Sequence, residues 1–127
     1  MKETLVKSEL INKVLHLTLN DKANQNTLSE EMIHELDKKF EEASKDKNVK
    51  VIILSSTGKV FCAGHNLKDL NSKRSEPDRG KSYYDKIFKN CSILMMNITK
   101  MKKCLDTVVV FNDSSKKDQK SVSTLSK

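Results

Sequence analysis

Three observations predict an α/β fold, a parallel sheet covered by helices, for this 127-residue chain. Leucine alternates with other residues through Val14-Leu15-His16-Leu17-Thr18-Leu19, the period of a strand with one face on a core. Leu28, Met32, Leu36, Phe40 and Ala43 recur every three or four residues, the period of an amphipathic helix. Val49-Lys50-Val51-Ile52-Ile53-Leu54 is a nearly unbroken, β-branched apolar run, which reads as a strand buried on both faces. Strand, helix, strand in that order is how a right-handed parallel crossover is written in sequence.

The elements follow in chain order. The first strand ends in Asp21-Lys22-Ala23-Asn24-Gln25-Asn26, a polar and turn-prone segment. Thr27 or Ser29 can then cap the helix, and Thr27 with Glu30 has the spacing of a capping box. The helix runs to Ala43 or Lys45, with His34 on its polar side. After the buried strand, Thr57-Gly58-Lys59 turns the chain into Val60-Phe61-Cys62, read as a further strand.

Residues 71 to 80, NSKRSEPDRG, contain the one proline and no large apolar side chain, and are expected to form an exposed loop. A second helix is predicted from Ser82 to Thr99, with Tyr84, Ile87, Phe88, Cys91, Leu94, Met95 and Ile98 as core filler. Val108-Val109-Val110-Phe111 can make a last strand. From Asn112 to Lys127 the serine, lysine and aspartate content predicts a disordered tail.

Composition excludes several functions. No run approaches the roughly 20 apolar residues of a membrane helix, and three widely spaced cysteines do not suggest a disulfide framework, so a reducing compartment is expected. The first ten residues resemble neither a secretory signal nor an Arg-rich presequence, an expectation that points to the cytoplasm. The net charge of +7 lies wholly in residues 71 to 127, which hold thirteen basic and six acidic residues. With two arginines and few aromatics, that excess reads as a solvated lysine surface and not as a nucleic-acid site.

The stretch VFCAGHNLKDL, residues 60 to 70, carries the chemistry. A glycine after an apolar run lets backbone approach a ligand and leaves the next amide free, and a helix opening near Leu67 adds partial positive charge, so an oxyanion or a phosphate is favoured there. Cys62 and His65 have the spacing of a nucleophile and base, or of a metal pair, but a zinc site needs three or four ligands and the other cysteines offer no matching pair. No metal or cofactor is expected.

Asn26-Thr27-Leu28-Ser29, the helix with Met32 and Glu35-Leu36, Val51-Ile52-Ile53-Leu54, and Phe61-Cys62-Ala63-Gly64-His65-Asn66-Leu67 together resemble the enoyl-CoA hydratase/isomerase (crotonase) family over roughly residues 10 to 103. The resemblance implies the N-terminal part of a spiral of ββα units, followed by a divergent segment at 104–127. It implies an acyl-CoA ligand, the coenzyme A thioester being substrate, and a role in fatty-acid metabolism. It also implies a homo-oligomer, trimer or hexamer, in full-length form, and a mitochondrial location.

By the same resemblance His65 N–H is the first donor of an oxyanion hole, and its imidazole either lines the thioester pocket or faces solvent. Ala63 meets the adenine end of CoA through its backbone, while Gly64, Asn66 and Leu67 shape the acyl channel. Gln25 stands where many members have a basic residue for CoA phosphates, with Lys22, Lys68 or Lys73 as substitutes.

The family's second oxyanion loop is rich in glycine, and this sequence has only Gly58, Gly64 and Gly80. No second donor is therefore expected; the resemblance places the hydratases' catalytic glutamates beyond that loop, so they are not expected either, nor is turnover by this chain alone, and a truncated product is one explanation. Three readings stand: a catalytic acyl-CoA enzyme; a partial domain that binds acyl-CoA or associates with full-length subunits; and a fragment without independent function, whose Val49–Leu54 strand would be left as an exposed edge.

Overall fold

A computed structural model describes residues 3–101, 107–110 and 123–126. The elements are β1 (Val6–Ile11), β2 (Val14–Leu19), α1 (Glu30–Lys45), β3 (Val51–Ser56), α2 (Leu67–Ser72), α3 (Lys81–Lys100), β4 (Thr107–Val110) and β5 (Ser123–Ser126), with short 3₁₀ turns at Lys22–Asn24 and Lys73–Ser75. The strands form one sheet in the order β1-β2-β3-β4-β5. β1 and β2 are antiparallel, β2-β3-β4 run parallel, and β5 returns antiparallel to β4. The chain thus opens with a ββα unit and continues as mixed α/β.

β1 was not predicted, and its burial explains why. Only Val6 is buried along it, so no alternation marks the strand. It is held instead by a two-residue hairpin in which Asn12 and Lys13 both take positive φ, the sign a tight I′-type turn requires. The Val6 amide also donates to Glu35 Oε2 of α1 at 3.1 Å, which anchors the start of the strand to the first helix.

The core joins Leu17, Leu19 and Ile52 of the sheet to Met32, Ile33, Leu36, Phe40 and Ala43 of α1, and to Ile87 and Leu94 of α3. The α1 stripe is the one its periodicity predicts, with Ile33 added, and His34 is exposed. Ser29, not Thr27, caps the helix: its Oγ accepts from Met32 N–H at 3.1 Å, while Thr27 Oγ1 is buried without a partner.

Four further expectations are corrected. β3 is less deeply covered than expected: Ile52 and Ser56 are buried and Leu54 half-buried on the core side, while on the other face Ser55 is buried and Val51 and Ile53 are half-buried. Nor is it an edge, because it pairs with β2 on one side and β4 on the other, which removes the argument for an unpartnered strand. Val60-Phe61-Cys62 is a loop and not a strand, since the Val60 carbonyl accepts from Asn26 Nδ2 at 2.9 Å in place of a sheet partner. Finally, α3 buries less than its stripe suggests: Phe88, Met95 and Met96 are 47%, 45% and 49% exposed, so those methionines are not core filler.

The 71–80 stretch is mostly exposed, as predicted, yet part of it belongs to α2 and a 3₁₀ turn. Gly80 within it is buried, because an added Cβ would stand 2.9 Å from the Tyr84 ring and 3.0 Å from the Lys73 carbonyl. The expected strand at Val108 appears as β4, and β5 lies inside the segment read as tail; the remainder, residues 111–122 and Lys127, is outside the described residues.

Candidate functional site

Two loops, bonded to each other through their main chains, build the site. Leu28 N–H donates to the Gly64 carbonyl at 2.7 Å, and Ala63 N–H to the Gln25 carbonyl at 3.1 Å, so the 25–28 and 63–64 segments lie strapped side by side. Gly64 takes φ +83, and an added Cβ would meet nothing within 4 Å. Backbone sign, not crowding, is what requires glycine there.

Beneath the straps lies Asn26, fully buried and polar. Its Oδ1 accepts from Asp21 N–H at 2.7 Å, and its Nδ2 donates to the carbonyls of Thr57 and Val60 at 2.8 and 2.9 Å. One amide side chain therefore ties the loop after β2 to the loop after β3. The sequence marks Asn26 only as part of a motif in a turn-prone run and not as this tie; asparagine's tolerance of left-handed backbone, which Asn26 adopts at φ +53, is the one hint its residue type carries.

The turn leaves the His65 N–H without an acceptor among the described residues. The His65 ring stands edge-on to Phe88 with centroids 5.1 Å apart, and its Nδ1 is buried with no hydrogen-bond partner. The imidazole thus packs inward against α3. Cys62 lies near the same helix: burial, and then the neighbouring Cys62, push the Cys91 thiol above its ordinary range.

Asn66 serves as the N-cap of α2, its Oδ1 accepting from Lys68 N–H at 3.0 Å and Asp69 N–H at 3.4 Å. Ala63 and Gln25 are exposed, and Leu67 is 76% exposed. Leu67 opens a groove of about 520 Å³ whose other walls are Leu70, Asn71, Arg74, Tyr84 and Phe88. Tyr84 offers only its ring there, because its hydroxyl donates to the Leu70 carbonyl at 2.6 Å.

A second cavity, of about 570 Å³, has Asn66 in its wall and is acidic, with Glu3, Asp21, Glu31 and Asp69 against the single cation Lys22. That balance disfavours a polyanion. Close by, Tyr83 is pushed above its ordinary range by burial and then by Asp69, Glu30 and Glu31. Of the lysines considered for phosphate, Lys73 sits 5.2 Å from the Tyr83 ring centroid, and Lys68 is exposed. Among the described residues no cluster of three metal-ligating side chains exists, and no helix is long and apolar enough to cross a membrane.

A ββα opening, a parallel sheet, and a glycine turn that presents a free amide beside an apolar groove define the N-terminal part of a crotonase-type fold. The chain belongs to the enoyl-CoA hydratase/isomerase family, whose sequence profile matches residues 9–105. It is similar to the mitochondrial enoyl-CoA hydratase domain-containing protein 3 of Xenopus laevis, with 38% identity over 82 residues, covering 65% of this chain and 26% of the relative. The human protein of that name is 32% identical over 85 residues, covering 67% of this chain and 26% of its own length.

Among solved structures, an enoyl-CoA hydratase of Mycobacterium smegmatis superposes with TM-score 0.73 and 35% identity, covering 85% of this chain and 39% of that one. The chain spans about a quarter of the length of the curated relatives it matches.

Proposed function

We propose that these residues form the acyl-CoA-binding part of a hydratase/isomerase-type site, with His65 N–H as the first donor to the thioester oxygen. The observation that carries this reading is the unaccepted His65 amide, held by straps on both sides of Gly64. A donor fixed before the ligand arrives costs no reorganisation when negative charge develops on the thioester oxygen. The acyl chain lies along the Leu67 to Phe88 groove, and the exposed backbone of Ala63 with Gln25 receives the nucleotide end. Of Lys22, Lys68 and Lys73, the exposed Lys68 is the cation best placed for its phosphates, since Lys22 stands among acidic side chains and Lys73 lies against the Tyr83 ring.

Binding is the activity that these residues support, through the one donor they place for the thioester oxygen, the His65 N–H. The mitochondrial relatives make that compartment the reading carried over here. A second reading, association with full-length crotonase subunits, is favoured by the exposed Phe88, Met95 and Met96 on α3.

Thermal unfolding of the chain, followed by circular dichroism with and without octanoyl-CoA, tests the proposal. A ligand at a hundredfold excess over its Kd stabilises the folded state by about 2.7 kcal/mol, which raises the midpoint by roughly 10 °C at this size. A cooperative transition that octanoyl-CoA does not move would overturn acyl-CoA binding.

A further inference from the structure

Resting on the acyl-CoA reading above, we infer that the acyl chain this groove takes ends in a carboxylate, received by Arg74. The groove begins at Leu67, two residues past His65, and shares Phe88 with the His65 ring. Its walls are Leu67, Leu70 and the rings of Tyr84 and Phe88, the two rings stacked with centroids 6.4 Å apart. Such walls take methylenes. Only two lining side chains keep polar groups free for a ligand, Asn71 and Arg74, because the Tyr84 hydroxyl is already given to Leu70.

Arg74 is exposed and has no ion pair among the described residues, whereas Lys45, Lys81 and Lys86 each have a carboxylate partner. It sits in the 3₁₀ turn Lys73–Ser75 that follows α2, so its backbone is held in regular structure. A guanidinium binds a carboxylate through two parallel N–H···O bonds, a geometry a lysine does not offer. An open apolar groove with an unpaired, exposed arginine in its wall is complementary to a molecule that is apolar along its length and anionic at its far end. A thioester with a free carboxyl at the other end of its chain has that form.

The test measures Kd by calorimetry for the 127-residue chain with two series of thioesters, straight-chain acyl-CoA and α,ω-dicarboxylyl-CoA of six, eight and ten carbons. At one of these lengths the dicarboxylyl compound is expected to bind about twofold to fivefold tighter than its straight-chain counterpart, the upper range of a single arginine–carboxylate pair open to solvent. Arg74→Met should abolish that preference, bringing the dicarboxylyl affinity down to the straight-chain value, and Arg74→Lys should restore only part of it. Equal or tighter binding of the straight chains at every length would overturn the inference while leaving the acyl-CoA reading intact. If Arg74→Met weakens both series and free CoA alike, the arginine meets a CoA phosphate and the inference fails. If neither series binds, the acyl-CoA reading fails first.

Discussion

Asn26 shows how much of a site can hang on one side chain. Removing its amide leaves the Thr57 and Val60 carbonyls and the Asp21 N–H without partners in a buried place. Asn26→Ala also loses a residue tolerant of the left-handed backbone it occupies. The expected cost is about 2–4 kcal/mol, read as a lower midpoint in urea unfolding. Asn26→Asp keeps the acceptor for Asp21 but turns a carboxylate oxygen towards two carbonyls, so at neutral pH it should destabilise at least as much. An aspartate variant as stable as the parent would show that the amide does not hold the loops. At this scale the sequence was a partial guide: glycine at 64 is legible because only backbone sign demands it, whereas a buried asparagine in a polar run looks like any other turn residue.

The start of α3 illustrates the same problem one level up. Gly80 occupies the N-cap position and has no side chain to cap with. Asp78, two residues earlier, supplies the acceptor: its carboxylate takes the Ser82 hydroxyl at 2.6 Å, Ser82 N–H at 2.9 Å and Gly80 N–H at 3.0 Å. Those bonds, the Ser82 hydroxyl first, then Ser82 N–H and Gly80 N–H, hold its carboxyl below the ordinary value of 3.8. Because the folded value is lowered, the stabilisation is present above the ordinary value and is lost as pH falls through the folded one. The stability gap between the parent and Asp78→Asn should therefore be constant from pH 7 to 5 and shrink under more acidic conditions. A gap that does not depend on pH would place the effect elsewhere.

Helix periodicity located α1 and α3 to within a residue or two, but not how deeply each side of α3 is covered. Ile87 and Leu94 are buried against the core, whereas Phe88 and Met95, on the next strip of the same helix, are open. Apolar identity alone does not separate the two strips. β1 escaped notice for the opposite reason, since a strand with one buried residue carries no period to read.

For the molecule as a whole, stability is expected to be uneven. β2 and β3 have neighbours on both sides and share the core with α1, while β1 is exposed beyond Val6. Backbone amides of β2, β3 and α1 should exchange with deuterium only through global unfolding, and those of the outer half of β1 should exchange sooner. Uniform protection across β1 and β2 would contradict this ordering. The parallel core was legible because alternation and a β-branched run are strong signals. The sheet's outer strands were not, because they depend on pairing with distant residues more than on their own composition.

The straps at Gln25 and Ala63 involve carbonyl and amide groups only, and the side chains at both positions point to solvent. Position and identity are thus uncoupled at this rim. Residue 63 can be exchanged for a charged or bulky one without shifting the His65 amide, and residue 25 for any side chain that tolerates its left-handed backbone. An engineer, or natural drift, can retune what the rim recognises while the hydrogen-bond donor stays where it is.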